Sequence, residues 1–250
     1  MLIRGLMESI RALPAVESVG LSAFGVMRGR GIVMTVAAAG APAVPGDNLN
    51  TSVNYVSPEY FSAMGMQLLE DLRIADLTSK PRKIVANHAF ANHFFPHTNA
   101  LGAQVGTSEQ GRVAGPEYVI AGIVSNAKYR SLREPIIPIM YILTNEFSSV
   151  VLSVRTHGQP AATTGPIRRI FSAIDPSLPL LEVSTLEEDI EASTAGERIG
   201  MVLASTFGGL EMLMTALGIY GLMAYVVTQT KWELGLRMAL GAPPRVIATF

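Results

Sequence analysis

Three closely spaced histidines are the first residues to test for chemistry. His88, His93 and His97 fall in the run Asn87-His-Ala-Phe-Ala-Asn-His-Phe-Phe-Pro-His97. A metal held on one helix needs ligands at i and i+4, and only His93 and His97 have that spacing, with Pro96 between them. No acidic residue lies nearby. The expectation is three surface histidines on a short aromatic-packed helix, and no metal. The chain also lacks GxxxxGK[ST], G-x-S-x-G and H-E-x-x-H, the patterns that cradle phosphate, activate a serine or hold zinc. Gly29-Arg-Gly31 is a turn too short to wrap a phosphate. No catalytic residue and no cofactor is expected, so any nucleotide energy must enter through another polypeptide or domain.

Glu211 is the remaining candidate, because of where it sits. It is the single charged residue between Ile199 and Thr230, and Met212–Thr230 is a 19-residue run with none. At about 1.5 Å per residue such a helix spans roughly 28 Å, close to the hydrocarbon thickness of a bilayer. An ionisable group inside that layer marks a pathway more often than not. The reading we favour instead places Glu211 near the outer interface or hydrogen-bonded to Thr215 one turn on.

Composition supports a divided chain. Of the 250 residues 49% are hydrophobic and 16% charged, against about 25% charged in an ordinary soluble domain. The apolar excess lies at the end, and residues 1–198 read as water-soluble. A formal charge of −1 gives no basic stripe for nucleic acid, and the absence of cysteine excludes disulfides and thiolate metal sites. Arg4, Glu8 and Arg11 interrupt the N-terminal segment, which is therefore no signal peptide. Val246–Phe250 opens a new apolar run, so both ends read as cut from a longer chain.

The elements that would carry these residues are legible from periodicity. Ile3, Leu6, Ile10 and Leu13 mark one face of a helix ended by Pro14. Val16–Phe24 reads as β, followed by a Gly/Arg turn and an Ala/Gly/Pro-rich linker over 37–46. Thr51–Val56 is a strand, with Ser57 as N-cap and Pro58 as N1 of a short helix through Met64. Ile84–Ala86, Tyr118–Val124, Ile139–Leu143 and Val150–Arg155 are further strands. A helix over Ala161–Ile174 ends at Asp175-Pro176, and Leu180–Val183 is a last short strand. Thr185-Leu-Glu-Glu188 forms a capping box that starts one long helix running into the apolar stretch.

Charge sets an orientation. Glu182, Glu187, Glu188, Asp189, Glu191 and Glu197 precede the apolar run with one basic residue, Arg198, while Lys231, Arg237 and Arg245 follow it with one acidic residue, Glu233. The positive-inside rule puts the C-terminal flank in the cytoplasm and residues 1–198 outside it. Gly200, Ala204 and Gly208 recur every fourth residue and Gly218 and Gly221 follow, a spacing that lets helix backbones approach closely in lipid.

Glu233-Leu-Gly-Leu-Arg-Met-Ala-Leu-Gly-Ala242 resembles the E-[IL]-G-[IL]-R-x-A-[LI]-G-A signature of FtsX-like ABC transporter permeases, and Gly218-Ile-Tyr-Gly221 resembles the G-[LI]-Y-G before it. Tyr55–Phe61, Asn99–Gly102, Ile120–Val124, Tyr129–Pro135 and Asp175–Pro179 are similar to the MacB-like periplasmic core, nearest to the duplicated bacterial permeases. The resemblance implies an N-terminally truncated core domain over 1–185, a stalk and transmembrane helix over 186–230, and a coupling segment over 231–250 that begins the next span. It implies that Glu233, Leu234, Gly235, Leu236, Arg237, Leu240 and Gly241 meet an ABC-type ATPase. Other partners would be the remaining permease helices or a second permease half, membrane lipid and a periplasmic adaptor. Trp232, where arginine is common, and Glu211, where a small apolar residue is usual, depart from the pattern.

The fold expected is an α+β extracytoplasmic domain, a ferredoxin-like or porter-type sandwich with a second strand-rich lobe, followed by a long transmembrane α-helix in a bacterial inner membrane. The function expected is that of a permease fragment coupling ATP hydrolysis by a partner to extracytoplasmic movement, for export or efflux. A single-span anchored binding or scaffold module is the rival.

Overall fold

The computed structural model describes residues 2–28, 31–38, 49–70, 77, 80–109, 112–113, 115–147, 149–174 and 182–239. The chain divides into two compact units, 1–193 and 194–250.

Six strands of the first unit close into a ring. They are β2 (Ile32–Ala38), β3 (Asn50–Val56), β5 (Arg82–Asn87), β6 (Gln104–Glu109), β8 (Tyr118–Val124) and β9 (Ile139–Leu143). The order β3-β2-β6-β8-β5-β9 runs through antiparallel and parallel ladders, and β9 then pairs in parallel with β3, Ser52↔Ile139 through Val56↔Leu143. Alternation decides what fills the ring. Val36, Val53, Ile84, Val105, Ile120 and Met140, one from each strand, share a single buried cluster. Phe90 and Ala91 of α3 (His88–Phe94) join them. A register shift between Ile84 and Val85 opposite β8 lets Tyr118 and Ile120, then Ile123, all reach that cluster. One extra residue restores the inward phase.

The odd residues of β9 face the other way. Ile139, Tyr141 and Leu143 pack with Val56, Val85 and Val124 beneath Tyr60 and Phe61 of α2 (Tyr60–Ala63). Hence β9 is buried on both faces and reads as a continuous apolar run. Two short strands, β4 (Leu68–Glu70) and β7 (Arg112–Val113), add to β8 and β6.

Beside the ring stands an α/β layer. β1 (Val16–Ser22) pairs antiparallel with β10 (Val151–Thr156). Leu6 and Ile10 of α1 (Leu2–Arg11) pack on Val19 with Leu152, Val154 and Ile167, Ile170 and Phe171 of α4 (Ala161–Ile174). Two helices on two antiparallel strands is as far as the sandwich goes among the described residues. Leu180 and Leu181 lie outside them, and Glu182–Val183 form no strand. The layer meets the ring where Ser22 pairs with Val56. Gly20 is required there, since a Cβ would fall 2.5 Å from the Tyr60 Cα.

The cap expected at Ser57 is a correction. The helix starts two residues later, at Tyr60, with Glu59 as N-cap and no side-chain bond. Ser57 is taken up by β1 instead: its Oγ accepts from the Leu21 N–H at 3.2 Å and its N–H donates to the Leu21 carbonyl at 2.9 Å. The Thr185 box does form. The Glu188 N–H donates to Thr185 Oγ1 at 3.2 Å and the Thr185 N–H to Glu188 Oε2 at 2.7 Å. It opens α5 (Leu186–Ala239).

Candidate functional site

The second unit is helical as far as Ala239 and has a surface unlike that of a water-soluble helix. Leu222, Met212, Leu213, Leu203 and Phe207, which at 100° per residue point in different directions, are all exposed. Its mean hydropathy reaches 1.7 within a candidate span of Leu186–Trp232. Every hydroxyl of serine and threonine between 199 and 230 turns back onto its own helix. Ser205, Thr206, Thr215, Thr228 and Thr230 donate to the carbonyls of Met201, Val202, Glu211, Ala224 and Val226 at 2.7–2.9 Å. Bonds of this kind spare a hydroxyl the desolvation cost of an apolar medium. They also show that Thr215 meets the backbone carbonyl of Glu211, not its carboxylate.

At 100° per residue, Gly200, Ala204, Gly208 and Gly218 fall within about 80° of one another, while Gly221 lies about 60° to the side. Glu211 and Thr215 project within the same sector. A Cβ on any of Gly200, Gly208, Gly218 or Gly221 would meet open space. Glu211, Gly208, Thr215, Met212, Ala216 and Ile219 line a shallow groove of about 450 Å³.

Of the expected ATPase-contacting residues, Gly235 and Leu236 lie within α5, and Leu236 is exposed. The side chains of Glu233, Leu234 and Arg237 lie outside the described residues, as do Leu240 and Gly241.

The histidines are not gathered. His88 and His93 occupy α3 and His97 lies beyond it, all three exposed. His93 packs edge-on to Phe94 at 4.7 Å, and His88 Nδ1 lies 3.3 Å from Asn92 Nδ2. Among the described residues no group of three or more acidic or histidine side chains could hold a metal. The polar residue that matters in this segment is Asn87. Wholly buried, it caps α3 by accepting from the Phe90 N–H, accepts from Ile139 and donates to the Ile137 carbonyl, at 2.8–3.0 Å.

Two polar constellations escaped the sequence reading. Arg28, in the loop after β1, donates four bonds to the segment that opens α5. Nε and Nη2 grip Asp189 side-on, both at 3.2 Å, while Nη1 reaches Glu182 and Nη2 reaches Ser184, both at 2.6 Å. Desolvation pulls the guanidinium pKa down, but the bonds and charges of Asp189 and Glu182 together outweigh it and hold it above its ordinary value. Glu134 closes the second constellation, its Oε1 accepting from the Tyr129 and Arg130 N–H groups at 2.6 and 2.7 Å. No sequence signal joins Arg28 to Asp189, which lie 161 residues apart. Glu134 was within the run Tyr129–Pro135 but had no assigned task.

Tyr60, Tyr129 and Tyr141 bury their rings together under β9. Desolvation raises the pKa of all three phenols, and neighbouring tyrosines add to this for Tyr60 and Tyr141. The hydroxyls of Tyr60 and Tyr129 are buried without a partner among the described residues.

No family model and no curated protein matches this chain. Solved structures similar to it include the extracellular domain of the noncanonic ABC-type transporter YknZ from Gram-positive bacteria. It is 17% identical, with 65% of this chain and 76% of that one covered, at a TM-score of 0.39. Another is the periplasmic region of MacB from Actinobacillus actinomycetemcomitans, 11% identical, with 68% and 73% covered at a TM-score of 0.44.

Proposed function

We propose that this chain is part of an ABC transporter permease of the MacB/FtsX type. In this reading residues 1–185 form an extracytoplasmic core domain, 186–230 a stalk and membrane span, and 231–250 the cytoplasmic segment that meets a partner ATPase. The observation that carries it is the second-unit helix, with apolar side chains exposed around it, the five serine and threonine hydroxyls between 199 and 230 bonded internally, and the E-x-G-x-R residues at its C-terminal end. A helix of this kind suits lipid and poorly suits water. The chain's own part is mechanical: it binds the ATPase through Glu233–Gly241, packs other helices through the Gly200–Gly221 sector, and moves the domain outside. Export or efflux is the class of work this serves.

The cysteine-free sequence makes the topology directly testable. Single cysteines at exposed Thr98 and at Thr249 would be introduced in the full-length protein. In intact spheroplasts an impermeant thiol reagent labels position 98 and spares 249. The opposite pattern, or labelling of both, overturns the proposal.

A further inference from the structure

The geometry points to Arg28 as the residue that fastens the start of α5 to the barrel, and so to the path by which movement of the stalk reaches strand β3. This rests on the permease reading for its purpose, though not for its structure. None of the three apolar clusters includes a residue of 182–193 among those described. A guanidinium that grips one carboxylate side-on and a second carboxylate and a hydroxyl end-on fixes both distance and angle, which a single ammonium cannot do.

The other end of the tie is equally determined. Met27 next to Arg28 takes a left-handed backbone, φ 62°, and is buried. Its N–H donates to the Tyr129 carbonyl at 2.8 Å. Glu134 holds the Tyr129 and Arg130 amides, and Arg130 Nη2 donates to Ser52 Oγ on β3 at 2.8 Å. Four residues before Arg28, Phe24 is bound through both its N–H and its carbonyl to the side chain of Asn54, wholly buried on β3. Gly25 makes room for the arm, since a Cβ there would stand 2.9 Å from Arg28 Cδ. Loop 23–28 is therefore held at both ends by strand and barrel groups, and its guanidinium holds α5. A loop pinned this way transmits displacement instead of absorbing it.

Hydrogen–deuterium exchange on the full-length protein, isolated in detergent with its ATPase, tests this in two stages. Without nucleotide, Arg28→Ala exchanges the amides of 186–190 faster than wild type, on the order of tenfold for a lost charge-assisted bond. The amides of β3 and β9 stay as in wild type. With ATP and vanadate, wild type changes its exchange both in α5 and in β3; Arg28→Ala keeps the first change and loses the second. Arg28→Lys restores it only in part, and Asp189→Asn repeats the Arg28→Ala pattern, which guards against a loop that merely misfolds. Unchanged exchange at 186–190 refutes the fastening. A β3 response that survives in both Arg28→Ala and Asp189→Asn refutes the transmission. If wild type shows no nucleotide response anywhere, the permease reading fails, while the first stage still decides whether Arg28 holds α5.

Discussion

A buried phenol can cost free energy in two ways, through a hydroxyl left without a partner, as at Tyr60 and Tyr129, and through a raised pKa, as at Tyr60, Tyr129 and Tyr141. An unsatisfied buried hydroxyl is worth about 1–3 kcal/mol of lost hydration. Tyr60→Phe removes one such hydroxyl and keeps the ring against Phe61 and Tyr141, so it should stabilise the domain by about 1 kcal/mol in a denaturant titration at neutral pH. The second effect is alkaline. Below pH ~10 both folded and unfolded chains keep the phenolic proton and stability is intact. Above it the unfolded chain releases the proton while the raised folded values retain it. Each such tyrosine then removes about 1.4 kcal/mol per pH unit until its folded pKa is passed. Unfolding should steepen sharply above pH ~10, and less so in Tyr60→Phe. A variant with the wild-type alkaline profile would show that these phenols do not titrate with folding. At this scale the sequence was readable where partners are local. The Thr185–Glu188 box needs only four consecutive residues and forms; Ser57 has an equally good local pattern, but a strand 36 residues away takes its hydroxyl.

The same contrast holds for elements. β3, β8, β9, β10, α1 and α4 follow from apolar runs or helical spacing, and their bounds agree to a residue or two. β2 and β6 do not, because Ile32–Ala38 runs toward a Gly/Ala/Pro-rich tract and Gln104–Glu109 lacks alternation. The ring supplies what propensity does not: an inward-facing Val36 and Val105 each gain burial only once their neighbours are in place. The long helix poses the reverse problem, a strong propensity with its described apolar side chains between 199 and 232 exposed. If the Gly200–Gly218 sector is the contact face, Gly208→Leu should disrupt assembly with the other permease helices. Leu213→Phe, on the opposite side, should leave it intact. Co-purification from detergent measures both. Equal effects would remove the special standing of that sector.

For the whole molecule, the proposed function gives Glu233–Ala242 an ATPase-facing role that rests on the resemblance and that spacing alone does not supply. Arg237→Glu should weaken ATPase docking by about 2 kcal/mol or more, as a reversed charge at an interface does. It should leave the near-UV circular dichroism of the first unit unchanged. Retained complex formation and ATP-dependent activity in that variant would sink the coupling role. What no run of residues announced is how the first unit is tied together. Parallel pairing of β3 with β9 joins strands far apart in sequence, Ser52 with Ile139, and a segment such as Tyr55-Val-Ser-Pro-Glu reads the same with or without it.

That pairing also has a consequence in time. A chain that emerges from N- to C-terminus delivers β2 and β3 well before β9, the strand that pairs with both β3 and β5 to close the ring. Until Leu143 is available, β3 and β5 each carry an open edge, with Val53 and Val56 on one and Ile84 and Val85 on the other, and an open edge recruits other strands. Contacts this distant in sequence form slowly. The window between the appearance of Val56 and that of Leu143 is therefore when the domain is most exposed to wrong pairing, and when a holding chaperone would protect it most.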